Sequence, residues 1–129
     1  MSKESIIGRK SFDFALNIIN LYKELQNSRE YILSKQLLRS GTSIGANTRE
    51  ASAAQSRKDF ISKLSIALKE ARETEYWLSL LKESHMVELD YANYLIKVNE
   101  LILILTSIIK TSQERKDKIT QNSKLRTQN

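Results

Sequence analysis

Cysteine and proline are absent from this chain of 129 residues, and glycine occurs only three times. Without cysteine there is no disulfide scaffold, no thiolate zinc site and no cysteine nucleophile, which suits a reducing, cytoplasmic setting. Without proline, and with so little glycine, nothing obliges a long helix to break. Histidine is nearly missing too: His85 stands alone. A di-metal site of the bundle type needs Glu-x-x-His on two helices, so one histidine cannot build it. No Ser-His-Asp or lysine-centred constellation accompanies His85, whose expected place is a helix end at the surface. The first ten residues lack the apolar core of roughly 7–15 residues that a signal peptide carries. The longest purely aliphatic run, Leu101–Leu105, falls far short of the roughly 20 residues that span a bilayer. The expectation is a cytoplasmic, non-enzymatic chain with no cofactor and no membrane partner.

What is present is charge and helical periodicity. Hydrophobic residues make up 40% and charged residues 28%, with 21 Lys+Arg against 15 Asp+Glu and a formal net charge of +6. Such an excess permits phosphate or acidic partners without requiring them. Four helices account for the apolar pattern. The first is expected from about Ser11, as N-cap, to Asn27, with Phe12, Ala15, Ile19, Tyr22 and Leu25 inward. Ser28 is available to cap a second helix from Arg29 to Ala54. A third, Arg57–Ser84, carries a heptad seam of Phe60, Leu64, Ala67, Ala71, Thr74, Leu78 and Leu81. A fourth, from Glu88 to about Lys116, repeats the pattern at Tyr91, Leu95, Val98, Ile102, Leu105 and Ile109, widened by Tyr94, Leu101 and Ile108. Short turns make neighbours antiparallel, so the fold expected is all-α: an up-down-up-down four-helix bundle over residues 1–116. Residues 117–129 lose the periodicity and form a basic polar tail expected to be disordered.

Gly41 and Gly45 lie inside the second helix, where each costs about 1 kcal/mol against alanine. Close approach of another helix accounts for them best, because residues four apart share a face. A phosphate loop is the alternative, but the Gly-Lys-Ser/Thr ending and the preceding strand are missing. The small pair Ala67 and Ala71 on the third helix is the expected partner. Ile96 and Leu103 fall about 120° from the seam centre of the fourth helix at 100° per residue. They imply either a broad core face or a subunit interface. On the third helix Ile66, Glu70, Glu73, Trp77 and Leu80 share a face, while Arg39, Asn47, Arg49 and Glu50 surround the glycines. Glu70 or Glu73 is therefore expected to pair with Arg39 or Asn47, unless that face is simply solvated. The candidate nucleic-acid contacts are Lys35, Arg49, Arg57, Lys58, Lys63, Lys69 and Arg72. They are scattered, as on an ordinary solvated surface, and aromatic residues do not interleave with them. In an oligomer such a patch would be multiplied by the number of copies.

The stretch Ser34–Ala51, the segment Phe60–Ala71 and the motif Glu73-x-Glu75-x-Trp77-Leu78 resemble a bacterial family, the 23S ribosomal RNA intervening-sequence proteins. The likeness extends over about Phe12–Lys110, with Ser-Ile-Gly-Ala-Asn…Glu as its signature. That resemblance implies a four-helix bundle similar to the accessory variability protein of diversity-generating retroelements, a barrel-like pentamer that engages a reverse transcriptase and nucleic acid. By the same resemblance Arg39, Ser43, Gly45, Asn47, Glu50 and Glu73 are helix and subunit contacts, joined by Gly41 and Trp77 from the packing pattern. Two functions follow as expectations. One is a non-enzymatic, ring-like homo-oligomer binding RNA or DNA as accessory to a nucleic-acid enzyme such as a reverse transcriptase. The other is a protein-binding or structural adaptor. A hydrolase built on Glu70, Glu73 and Glu75 is disfavoured because no metal-ligand set accompanies them.

Overall fold

The computed structural model describes residues 2–127. The described residues form four helices: α1 (Lys3–Asn27), α2 (Leu33–Ser52), α3 (Arg57–Ser84) and α4 (Ala92–Thr127). No strand occurs among the described residues. Each helix packs against the next in sequence and α1 also packs against α4, so the four close a ring around one core. Residue pairings fix the directions. Gly45 lies beside Ser11 and Gly41 beside Ile18, so α1 and α2 run antiparallel. Arg39 reaches Glu70 and Glu50 reaches Lys63, so α2 and α3 do too.

The α3 boundaries fall where the periodicity puts them, with the Ser56 hydroxyl accepting from the Asp59 N–H at 3.0 Å as an N-cap. His85 ends the helix in the left-handed conformation, φ 57°. Every residue of the α3 seam is buried except Phe60, which is half-buried.

Three expectations are corrected. The α1 helix starts at Lys3 rather than Ser11, and its core stripe is Ile7, Ser11, Phe14, Ile18, Leu21 and Leu25. Ser11 is no cap; it is buried in mid-helix and its hydroxyl donates to the Gly8 carbonyl at 3.2 Å. That internal bond lets a polar residue occupy a core position. Phe12, expected inward, is 48% exposed. Second, α2 starts at Leu33, not Arg29, and Ser28 does not cap it. Arg29 takes φ 65°, and the Glu30 carboxylate accepts from the backbone N–H groups of Ile32, Leu33 and Ser34 at 3.2, 2.9 and 2.7 Å. Burial raises the Glu30 pKa, but these donors and the Ser34 hydroxyl outweigh it, and the net displacement is downward. Third, α4 starts later than expected and does not end near Lys116: it continues to Thr127, through the tail expected to be disordered. Gln128 and Asn129 lie outside the described residues. No proline or glycine interrupts 113–127, so nothing in the chain stops the helix.

The buried face of α4 is Val98, Leu101, Leu105, Ile108 and Ser112, with Tyr91 buried just before the helix starts. Leu101 and Ile108, assigned to its flank, are therefore central, while Leu95, Ile102 and Ile109 are half-buried. Among the described residues α4 is the one helix long and apolar enough to cross a membrane, but this face supplies one wall of the bundle core.

Candidate nucleic-acid interface

The small-residue signature is a helix contact, with a partner other than the one expected. A Cβ added at Gly41 would stand 2.9 Å from Cγ1 and Cγ2 of Ile18, and one at Gly45 would stand 3.3 Å from the Ser11 carbonyl oxygen. Both glycines therefore admit α1, whereas Ala67 and Ala71 are buried on α3. Toward α3 the same helix uses polar contacts. The Thr74 hydroxyl donates to Ser40 Oγ at 2.9 Å in full burial. Arg39 forms ion pairs with Glu70, at 3.1 Å, and with Glu73. Asn47 takes no part in that pairing; its side-chain amide donates to the Ser43 carbonyl at 2.9 Å. Two of the three carboxylates of the disfavoured hydrolase reading, Glu70 and Glu73, are thus held by one guanidinium.

Trp77 is half-buried with its ring edge against Tyr76, centroids 5.1 Å apart. Its Nε1 is buried without a hydrogen-bond partner. At the other end of the α3 face, Glu50 pairs with Lys63 at 3.2 Å.

The bundle separates the scattered cations. The end where α1 starts, α2 stops, α3 starts and α4 runs out gathers Arg49, Arg57, Lys58 and Lys63 from the candidate set. It adds Arg115, at the end of the expected fourth helix, and Lys118, in the tail expected to be disordered; a continuous helix into residues 113–127 was the signal that would have grouped them. Arg49, Arg57, Lys58, Arg115 and Lys118 are exposed and form no ion pair among the described residues. A groove of about 460 Å³ between the α2–α3 turn and α4 is lined by Gln55, Ser56, Arg57, Phe60 and Arg115. Lys69 and Arg72 stand apart on the exposed face of mid-α3, and Lys35 lies at the opposite end near the α2 start.

That opposite end is nearly balanced in charge. His85 Nδ1 lies 2.8 Å from Glu88 Oε1. Burial pushes the Tyr91 pKa up, and the negative charges of Glu88, Glu30 and Glu24 add to it. Its hydroxyl donates to the Val87 carbonyl at 2.8 Å.

Among the exposed apolar side chains of the described residues, two surfaces gather several of them. One is a groove of about 520 Å³ between α1 and α2, lined by Phe12, Ala15, Leu16, Ile19, Gly45 and Arg49 among others. The other is the outer stripe of α4, where Ile96 and Leu103 are 63% and 72% exposed. No group of histidines and carboxylates able to hold a metal ion occurs among the described residues.

The family described as 23S rRNA-intervening sequence protein matches residues 3–107. No curated protein matches the chain. Among solved structures, a protein of unknown function from the S23 ribosomal protein family of Bacteroides thetaiotaomicron is similar, with 52% sequence identity and a TM-score of 0.81. The similarity covers 84% of this chain and 99% of that one.

Proposed function

This chain belongs to the 23S rRNA-intervening sequence protein family, and from that premise we propose that it is a non-enzymatic, cytoplasmic bundle protein that binds RNA or DNA through its cationic end. The observation that carries the proposal is the concentration there of Arg49, Arg57, Lys58, Arg115 and Lys118 without ion-pair partners among the described residues. Cations already neutralised by carboxylates, such as Lys63 and Arg39, add little to a phosphate field; unpaired ones release counterions on binding. A nucleic-acid enzyme such as a reverse transcriptase is the class of partner the resemblance suggests.

Self-association belongs to the same proposal. The α1–α2 groove and the α4 stripe are different surfaces, so a contact between them is heterologous and closes into a ring when the rotation permits. A homopentamer is the ring size that the resemblance favours. Each added copy would multiply the cationic end, raising avidity without any new contact.

The experiment is a binding titration of the full chain with a structured RNA at rising salt. Affinity is expected to fall linearly on a log–log plot; no binding at low salt would remove the nucleic-acid role. In that event the exposed Phe12, Leu16, Ile96 and Leu103 favour the second function, a protein-binding adaptor. Light scattering then tests assembly: wild type should exceed the monomer mass, and Leu103→Glu should lower it.

A further inference from the structure

We propose that the ligand of the cationic end is a duplex, RNA or DNA, held by its phosphates across the α2–α3 turn and the projecting part of α4. The proposal rests on the nucleic-acid function above and names the form of the ligand and the element that grips it.

Length comes first. The α4 helix has 36 residues and antiparallel α3 has 28. The start of α3 lies level with the stretch of α4 around Gln113 and Asp117, which share a groove with Lys58 and Ile61. The part of α4 beyond Asp117 therefore runs past the bundle to Thr127, an arm of about 15 Å at 1.5 Å per residue. That spans four to five base steps at about 3.4 Å per phosphate along one strand. From Asp117 onward the sequence holds no further carboxylate, while Lys118, Lys124 and Arg126 follow. Every side chain described from Gln113 onward is exposed, so no packing against the bundle accounts for the extension.

The second observation is the missing stacking platform. Single strands are held by aromatic rings on which bases stack, as well as by charge. At this end Phe60 is half-buried against the core, and Phe12 faces the separate apolar groove between α1 and α2. The tyrosines and Trp77 lie on other parts of the bundle. Arg57, Lys58, Arg115 and Lys118, without ion pairs among the described residues and without aromatic faces beside them, suit a ligand that presents phosphates and hides its bases, which describes a duplex.

The test uses fluorescence anisotropy on the full chain with three probes of equal length: an RNA duplex, a DNA duplex and an oligouridine strand. Titrations run at about 50 mM and about 200 mM salt. A duplex is expected to bind several-fold more tightly than the single strand. Arg57→Gln/Lys58→Gln and Arg115→Gln/Lys118→Gln should each weaken duplex binding about tenfold and flatten the salt slope by 1–2. Lys23→Gln/Lys82→Gln, at the opposite end, should change it less than about twofold. Thermal melts of all three variants matching wild type would establish that folding is intact. Tighter binding to oligouridine, or an equal loss in the Lys23/Lys82 variant, would overturn the duplex proposal while leaving nucleic-acid binding standing. Failure of wild type to bind any probe would remove both. A preference between the two duplexes would support the proposal and identify which nucleic acid is the ligand.

Discussion

The two ends of this bundle solve opposite problems with the same kinds of residue. At the α1–α2 turn charge is used internally: Glu30 folds back onto three backbone N–H groups, and His85 meets Glu88 across the neighbouring turn. At the far end Arg57, Lys58, Arg115 and Lys118 face solvent without ion-pair partners among the described residues. A charge that satisfies a local backbone stabilises the fold; a charge with no partner leaves its field for a ligand. The positive excess of the chain therefore has a place and a direction, which a net charge alone does not convey.

Between the ends the α1–α2 contact supports both, and breaking it should have the largest effect. Gly41→Ala sets a methyl 2.9 Å from the branched Ile18 side chain. We expect a loss of about 1–3 kcal/mol, read by chemical denaturation, despite the better helix propensity of alanine. Gly45→Ala meets a backbone carbonyl at 3.3 Å and should show a smaller loss. Next comes the capped end. Glu30→Ala removes the acceptor of three N–H groups and should lower stability by about 1–2 kcal/mol, with duplex affinity unchanged.

Acid sharpens the contrast. The Glu30 pKa is held below its ordinary 4.5 in the folded state, so its contribution is present above that value and fades as pH falls through the folded pKa. Thermal melts should show part of the acid destabilisation of wild type missing in Glu30→Gln. The smallest effect on folding is expected at the cationic end. Arg57→Gln/Lys58→Gln should shift stability by no more than about 0.5 kcal/mol at moderate salt. A large loss there would mean that those cations hold the fold, and the distinction between the ends would collapse.

Helix number, the α3 boundaries and the α3 core seam were legible from spacing because each depends on residues close in sequence. The core face of α1 was not. Two stripes, Phe12–Ala15–Ile19–Tyr22 and Ile7–Ser11–Phe14–Ile18–Leu21, have nearly the same period, and only packing against α2 and α4 selects the second. Ser11 misled because a serine signals a helix start more often than a core position, and its bond to the Gly8 carbonyl is invisible to periodicity. Ser28 misled in the same way, since the real cap is a glutamate two residues on, reached through a left-handed Arg29. For the candidate site, Arg49, Arg57, Lys58 and Lys63 could be named but not grouped. Arg115 and Lys118 were visible as charge but not as part of the same surface.

By itself the sequence determined that the chain is helical, that four amphipathic segments must bury apolar stripes together, and that positive charge exceeds negative. Those follow from local propensity and from a 3.6-residue period that needs no partner to be recognised. Only the tertiary structure decided that Gly41 and Gly45 admit α1 rather than α3, that Arg39 bridges Glu70 and Glu73, and that cations far apart in sequence share one end. The physical reason is that periodicity specifies which face of a helix is buried, and not which neighbour buries it; antiparallel closure supplies that neighbour and with it the direction of the electric field.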